Sequence, residues 1–269
     1  MGRKVTMEEA LDYSEVPYLQ EIINYLPINP EDKEDVVDYI NNVLKLIVIN
    51  YRYDQYQFAY FGVHLLYMTY IYCTVWKVSQ MEPDRYKDAI VFARSYIGRE
   101  KDLHIVDADS IFNYSLMPER DISKLFRIID LDNTHIKKVR DLIEFRDNMA
   151  HASGKIDLVN EDSFEIKIHS IFDSIDNMHK SMIKLIKKWY SLILIGFCEG
   201  EYQDYDKAHD FISEYMIQNY KLSINELLIC KDMSMKNLIS EHSAYKTQLT
   251  NFKKAINKYC VDNGYNGYI

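Results

Sequence analysis

Residues 133–151 read NTHIKKVRDLIEFRDNMAH. Val139, Ile143, Arg146 and Ala150 stand at i, i+4, i+7 and i+11, which is one face of a helix. Asp132 or Asn133 supplies an N-cap, and Gly154 fits the position just past the C-terminus. Three of the four face residues are small or apolar, so Arg146 stands where a core residue is expected. A guanidinium is costly to bury unless it is paired.

Working outward, the same period recurs along most of the chain. Thr6-Met7-Glu8-Glu9 is a capping box opening a helix that ends near Pro27. Asn29-Pro30-Glu31-Asp32 reads as N-cap, first-turn proline and acidic first turn of a second helix, to about Asn50. A third covers roughly 53–80, and Glu82-Pro83-Asp84 starts a fourth, to about Gly98. Pro118-Glu119-Arg120 restarts a helix to about Asp130. Ile156, Leu158, Phe164, Ile166 and Ile168 then alternate with polar residues, which predicts a short β-hairpin or extended excursion. Helix resumes near Asp173 and runs to about Ile195. The stretch from Gly196 to Asp204 reads as a boundary. About three helices follow it, one opened by the capping box Ser223-Ile224-Asn225-Glu226. The expected fold is all-α: an N-terminal helix (1–29), a helical bundle (30–196) and a C-terminal helical extension (197–269).

Composition agrees with that class. The 269 residues include only 8 Gly and 5 Pro but 23 Tyr, and few turn formers favour long helices. Phosphate-cradling glycine loops are absent from the sequence. The net charge of −9 argues against nucleic-acid binding through the overall field. It is uneven, however: residues 133–190 carry ten Lys/Arg against nine Asp/Glu, net +1, leaving −10 for the rest. Cys73, Cys198, Cys230 and Cys260 form no CxxC and read as reduced thiols of a cytoplasmic protein. Apolar runs are broken by polar residues, so no membrane span or membrane partner is expected. The scattered histidines give no ligand pair, and neither metal nor cofactor is expected.

Arg146 and His151 together hold the parts for metal-free chemistry on a phosphodiester. RNA carries its own nucleophile, the 2′-hydroxyl. Cleavage needs a group to take that proton, one to protonate the leaving 5′-oxygen, and a cation for the developing charge. Histidine titrates near neutrality, and arginine presents an always-charged fork to phosphate. Five residues on an ideal helix is about 140° of rotation. The two side chains therefore meet only if His151 lies on a fraying last turn.

Arg146, the polar Asp147 directly after it, and His151 resemble the Rx4–6H signature of the HEPN superfamily. These are all-α domains, many of them RNases of toxin–antitoxin, CRISPR and phage-defence systems. The resemblance implies a homodimer in which both chains line one cleft, an RNA substrate and an antitoxin or defence-system partner protein. His151 would be general acid/base, Arg146 the phosphate group and Asp147 the orienting residue. Where many such toxins carry Tyr shortly after the His, this chain has Ala152 and Ser153. The other reading keeps Arg146 as an intrachain ion-pair partner and His151 as a helix-end residue. The chain is then a non-catalytic regulatory or interaction module, or a nucleotide-binding member.

Lys180, Lys184, Lys187 and Lys188 form a basic row, with Met178, Met182, Leu185 and Trp189 on the other side. The row could track RNA phosphates or be the solvated face of an amphipathic helix. Tyr53, Tyr56, Tyr60, His64 and Tyr67 share another seam. It reads as core or dimer filler more readily than as a base-stacking surface, with His64 an interior histidine.

Overall fold

A computed structural model describes residues 12–28, 35–93, 105–150, 157–158, 160–205 and 207–265. Among these residues the fold is all-α, with no strand beyond one isolated bridge, Pro27 to Ser223. His151, Ala152, Ser153 and Gly154 lie outside the described residues, as do Thr6–Glu9 and Asn29–Asp32.

The N-terminal segment is less regular than its sequence predicts. A 3₁₀ turn (Tyr13–Glu15) precedes α1, only Leu19–Ile23, and Tyr18 between them has φ 59°. Helix α2 (Asp35–Arg52) and α3 (Tyr56–Met81) form an antiparallel hairpin, turned at Asp54 (φ 56°). Gly62 lets them close: a Cβ there would lie 2.5 Å from Ile47 Cγ1. Helix α3 is the centre of the bundle. By length and composition alone it is apolar enough to cross a membrane, yet 83% of that window is buried inside the protein. Its seam turns inward after the first turn: Tyr53 is 73% exposed, whereas Tyr60, His64 and Tyr67 are buried. Helix α4 (Pro83–Ala93) follows directly. A 3₁₀ turn (Ile111–Leu116), the single-turn α5 (Glu119–Ile122) and a second 3₁₀ stretch (Ser123–Ile129) then lead to α6 (Asn133–Ala150). Asp132 caps α6, its Oδ1 accepting from the His135 amide at 2.9 Å.

The expected β excursion does not exist among the described residues. Helix α7 runs from Glu161 to Glu199, 39 residues, opened by a reciprocal capping box between Asn160 and Ser163. Phe164 and Ile168 are buried and Ile166 is 66% exposed. Phe164, Ile168, Ile171 and Ile175 stand at i, i+4, i+7 and i+11, so the alternation is a fragment of a helical stripe. Tyr67 Oη meets Ser174 Oγ at 2.8 Å, and Tyr70 Oη donates to the Ile175 carbonyl at 3.2 Å, tying α3 to α7.

Gly200 (φ 77°) stops α7, as the predicted boundary requires. Beyond it come α8 (Ala208–Asp210), which runs into a π-helical stretch (Phe211–Asn219), then α9 (Ile224–Asp232), α10 (Lys236–Glu241) and α11 (Lys246–Asp262). The predicted capping box at Ser223 and Glu226 opens α9. These elements share one continuous core with the bundle. Lys77 on α3 and Glu226 form a buried ion pair at 2.5 Å, and the Ile28 amide donates to the Leu222 carbonyl at 2.8 Å.

Candidate functional site

Helix α6 carries the motif on its last turn. Its buried stripe is Ile136, Val139, Leu142, Ile143 and Met149, whereas Ala150 is exposed. Arg146 therefore sits at the edge of the apolar face rather than in its middle, which corrects the expectation of a core position. Its side chain is 25% exposed.

The guanidinium is tied within the chain. Nη2 donates to Glu119 Oε2, and Nη1 lies 3.4 Å from Asp147 Oδ1. Nε is buried with no partner among the described residues. Asp147 is held in turn by Arg120 Nη2 at 3.3 Å. On the other side, Glu119 Oε2 lies 3.3 Å from His64 Nε2, and His64 is buried. Three elements thus converge: α3 brings His64, α5 brings Glu119 and Arg120, and α6 brings Arg146 and Asp147. The four charged groups cancel in sign, so this is a balanced cluster and not a positive cleft.

Burial and charge set the protonation of the cluster. Burial pushes the His64 imidazole below its ordinary range, against the opposing pull of Glu119. Burial alone would raise the Glu119 carboxyl, but the hydrogen bond from His64 and the charge of Arg146 hold it below the usual carboxylate range. Burial raises the Tyr60 hydroxyl, which has no partner among the described residues. A neutral imidazole carries one N–H; placing it on Nε2 satisfies Glu119 and leaves Nδ1 as an acceptor.

Of the predicted site residues, the structure brings Arg146 and Asp147 together, and His151 lies outside the described residues. The lysine row is set apart. Phe145 lies under Lys167 Nζ at 3.8 Å, so Lys180 stands about 20 Å further along α7 at 1.5 Å per residue. Lys180 pairs with Asp176 at 2.5 Å and Lys188 with Glu82 at 2.6 Å, while Lys184 and Lys187 are exposed. Beside Phe145, a 260 Å³ groove between α6 and α7 holds Lys138 and Lys167 against Asp141 and Asp173. It too is balanced in charge. Glu119 was not legible in the sequence as a site residue, because its partners lie 55 positions before it and 27 after it. No family model matches the chain, and neither a curated protein nor a solved structure matches it.

Proposed function

We propose that this protein is a HEPN-like, metal-independent endoribonuclease, working as a homodimer in the manner of a toxin or phage-defence effector. The observation that supports the reading is the cluster itself. Arg146 closes a helix whose other buried residues are apolar, and it meets Glu119, Asp147 and, through Glu119, the buried His64. Ionisable groups gathered in this way mark functional sites more often than surfaces at large.

In this reading His151 exchanges the protons, and Arg146 takes a non-bridging phosphate oxygen. The 2′-oxygen attacks phosphorus as its proton leaves, and the bond from phosphorus to the 5′-oxygen breaks. That oxygen is protonated as it departs, leaving a 2′,3′-cyclic phosphate and a 5′-hydroxyl. Asp147 keeps the Arg146 side chain in place. The test is incubation of the protein and its His151→Ala form with total RNA in the presence of EDTA. Cleavage by the parent alone, with cyclic phosphate ends, is the expected outcome. Equal cleavage by the variant would remove His151 from the role.

A second reading, a non-catalytic helical interaction module, is favoured by one specific observation: both terminal nitrogens of Arg146 are already engaged by carboxylates. No cleavage by either form, together with co-purification of a stoichiometric partner, supports that reading.

A further inference from the structure

A guanidinium that is to hold a phosphate must have a face to offer, and here both ends of the Arg146 fork are taken. The two carboxylates that take them are not equivalent. Asp147 is the neighbour in sequence, on the same helix turn, and is braced by Arg120. Glu119 is the first residue of a single-turn helix, and its Oε2 already lies 3.3 Å from a second donor, His64 Nε2. A carboxylate shared between two donors can leave one and keep the other. Around it, Tyr60 Oη, His64 Nδ1 and Arg146 Nε are buried without partners among the described residues, and Tyr60 and His64 are almost wholly enclosed. Such groups are rare in a purely structural ion pair, where polar atoms are satisfied.

We infer that Glu119 is the resident anion of a phosphate site: a phosphate oxygen replaces its carboxylate on Arg146 Nη2, and the carboxylate is retained by His64. The inference rests on reading Arg146 as the phosphate group, and it adds two functional residues to that site. Glu119 is a competitor for Arg146, which makes the free chain a weak anion binder by construction. His64 is a positioning residue, lowering the cost of displacement by keeping a hydrogen bond to the carboxylate that leaves. Burial suits His64 to this part, since a neutral ring can donate from Nε2 without adding a second positive charge beside Arg146. The ligand chemistry is that of a phosphate oxyanion, from free phosphate or from the backbone of RNA.

The experiment is titration calorimetry with inorganic phosphate and, separately, with the dinucleotide TpT, whose diester lacks the 2′-hydroxyl and survives incubation. Removing the competing charge in Glu119→Gln is expected to tighten TpT binding at least tenfold, and Arg146→Gln to abolish it. His64→Phe is expected to weaken binding severalfold in the parent and to change nothing in the Glu119→Gln background. That non-additive cycle is a signature a structural role for His64 would not give. Tightening for TpT but not for free phosphate assigns the site to a nucleic-acid backbone, and tightening for both to phosphate at large. Unchanged or weaker binding by Glu119→Gln overturns the inference. Should that variant not fold, Glu119→Asp, shorter by one methylene, is expected to tighten binding about threefold, and no change there overturns the inference equally. The outcome is separate from the nuclease reading. Tighter binding with no RNA cleavage by any form keeps the exchange and removes the nuclease, whereas cleavage with unaltered binding does the reverse.

Discussion

His179 is the histidine with the least to hold. It is buried on α7, and neither ring nitrogen has a partner among the described residues. Burial pushes its pKa below the ordinary 6.5, with Lys77 adding to the effect and Glu226 opposing it. His64 is shifted in the same direction. The unfolded chain therefore takes up protons near pH 6.5 that the folded chain refuses until lower pH. Stability is full above that value and falls as the pH drops through it. Each such group contributes a slope of up to about 1.4 kcal/mol per pH unit. His179→Phe is expected to flatten the fall between pH 6.5 and 5 without lowering stability at pH 7.5, measured by urea unfolding across pH. An unaltered slope would show that His179 protonates in the folded state. At this scale the sequence was informative about single residues and silent about their meetings. Arg146 was visible because it breaks an apolar stripe, and His64 was readable as interior. That both would touch Glu119 is decided by how α3, α5 and α6 pack, which no local pattern encodes.

Helix signals held where they rest on local chemistry. Asp132, Gly200 and the Ser223–Glu226 box each act through backbone groups within a few positions, so they read the same in sequence and in structure. The hairpin expectation failed because five alternating residues fit period 2 and period 3.6 alike. The capping box of Asn160 and Ser163, inside the supposed hairpin, was the signal that would have decided it. Gly200 offers a clean test of one such signal. Its φ of 77° is left-handed, and a Cβ there would meet nothing within 4 Å, so substitution costs backbone strain alone. Gly200→Ala is expected to lower stability by about 1–2 kcal/mol. For a chain of this size that is a fall in melting temperature of roughly 2–8 °C by calorimetry. No loss would mean that α7 can end another way.

Across the whole molecule, the segments on either side of the bundle are joined through its middle. The Pro27–Ser223 bridge, the Asn225 amide on the Asn24 carbonyl at 3.3 Å, and the Lys77–Glu226 pair bring both to the same end of α3. Glu226 also accepts from the Ser223 amide at 2.8 Å, so one carboxylate serves a cap and an ion pair. Removing one member of a buried pair leaves an unpaired charge, which typically costs about 3–5 kcal/mol. Lys77→Ala is expected to show that loss. Lys77→Met combined with Glu226→Leu is expected to recover most of it, short of the cap, about 1 kcal/mol. A double variant as unstable as the single would assign the loss to the space Lys77 fills and not to charge.

The π-helical stretch over Phe211–Asn219 bears on how this architecture tolerates changes in chain length. Bonds from i to i+5 spend more residues per turn than the α pattern, so the stretch stores surplus chain. Deleting one residue there would let it tighten to α-helix while turning everything downstream by about 100°. Trp76 Nε1 donates to the Asn219 carbonyl at 3.0 Å, so that phase is pinned to α3 at the end of the stretch. Insertions and deletions in this segment are thus changes of phase, felt less where they occur than in the angle at which α9 meets Lys77.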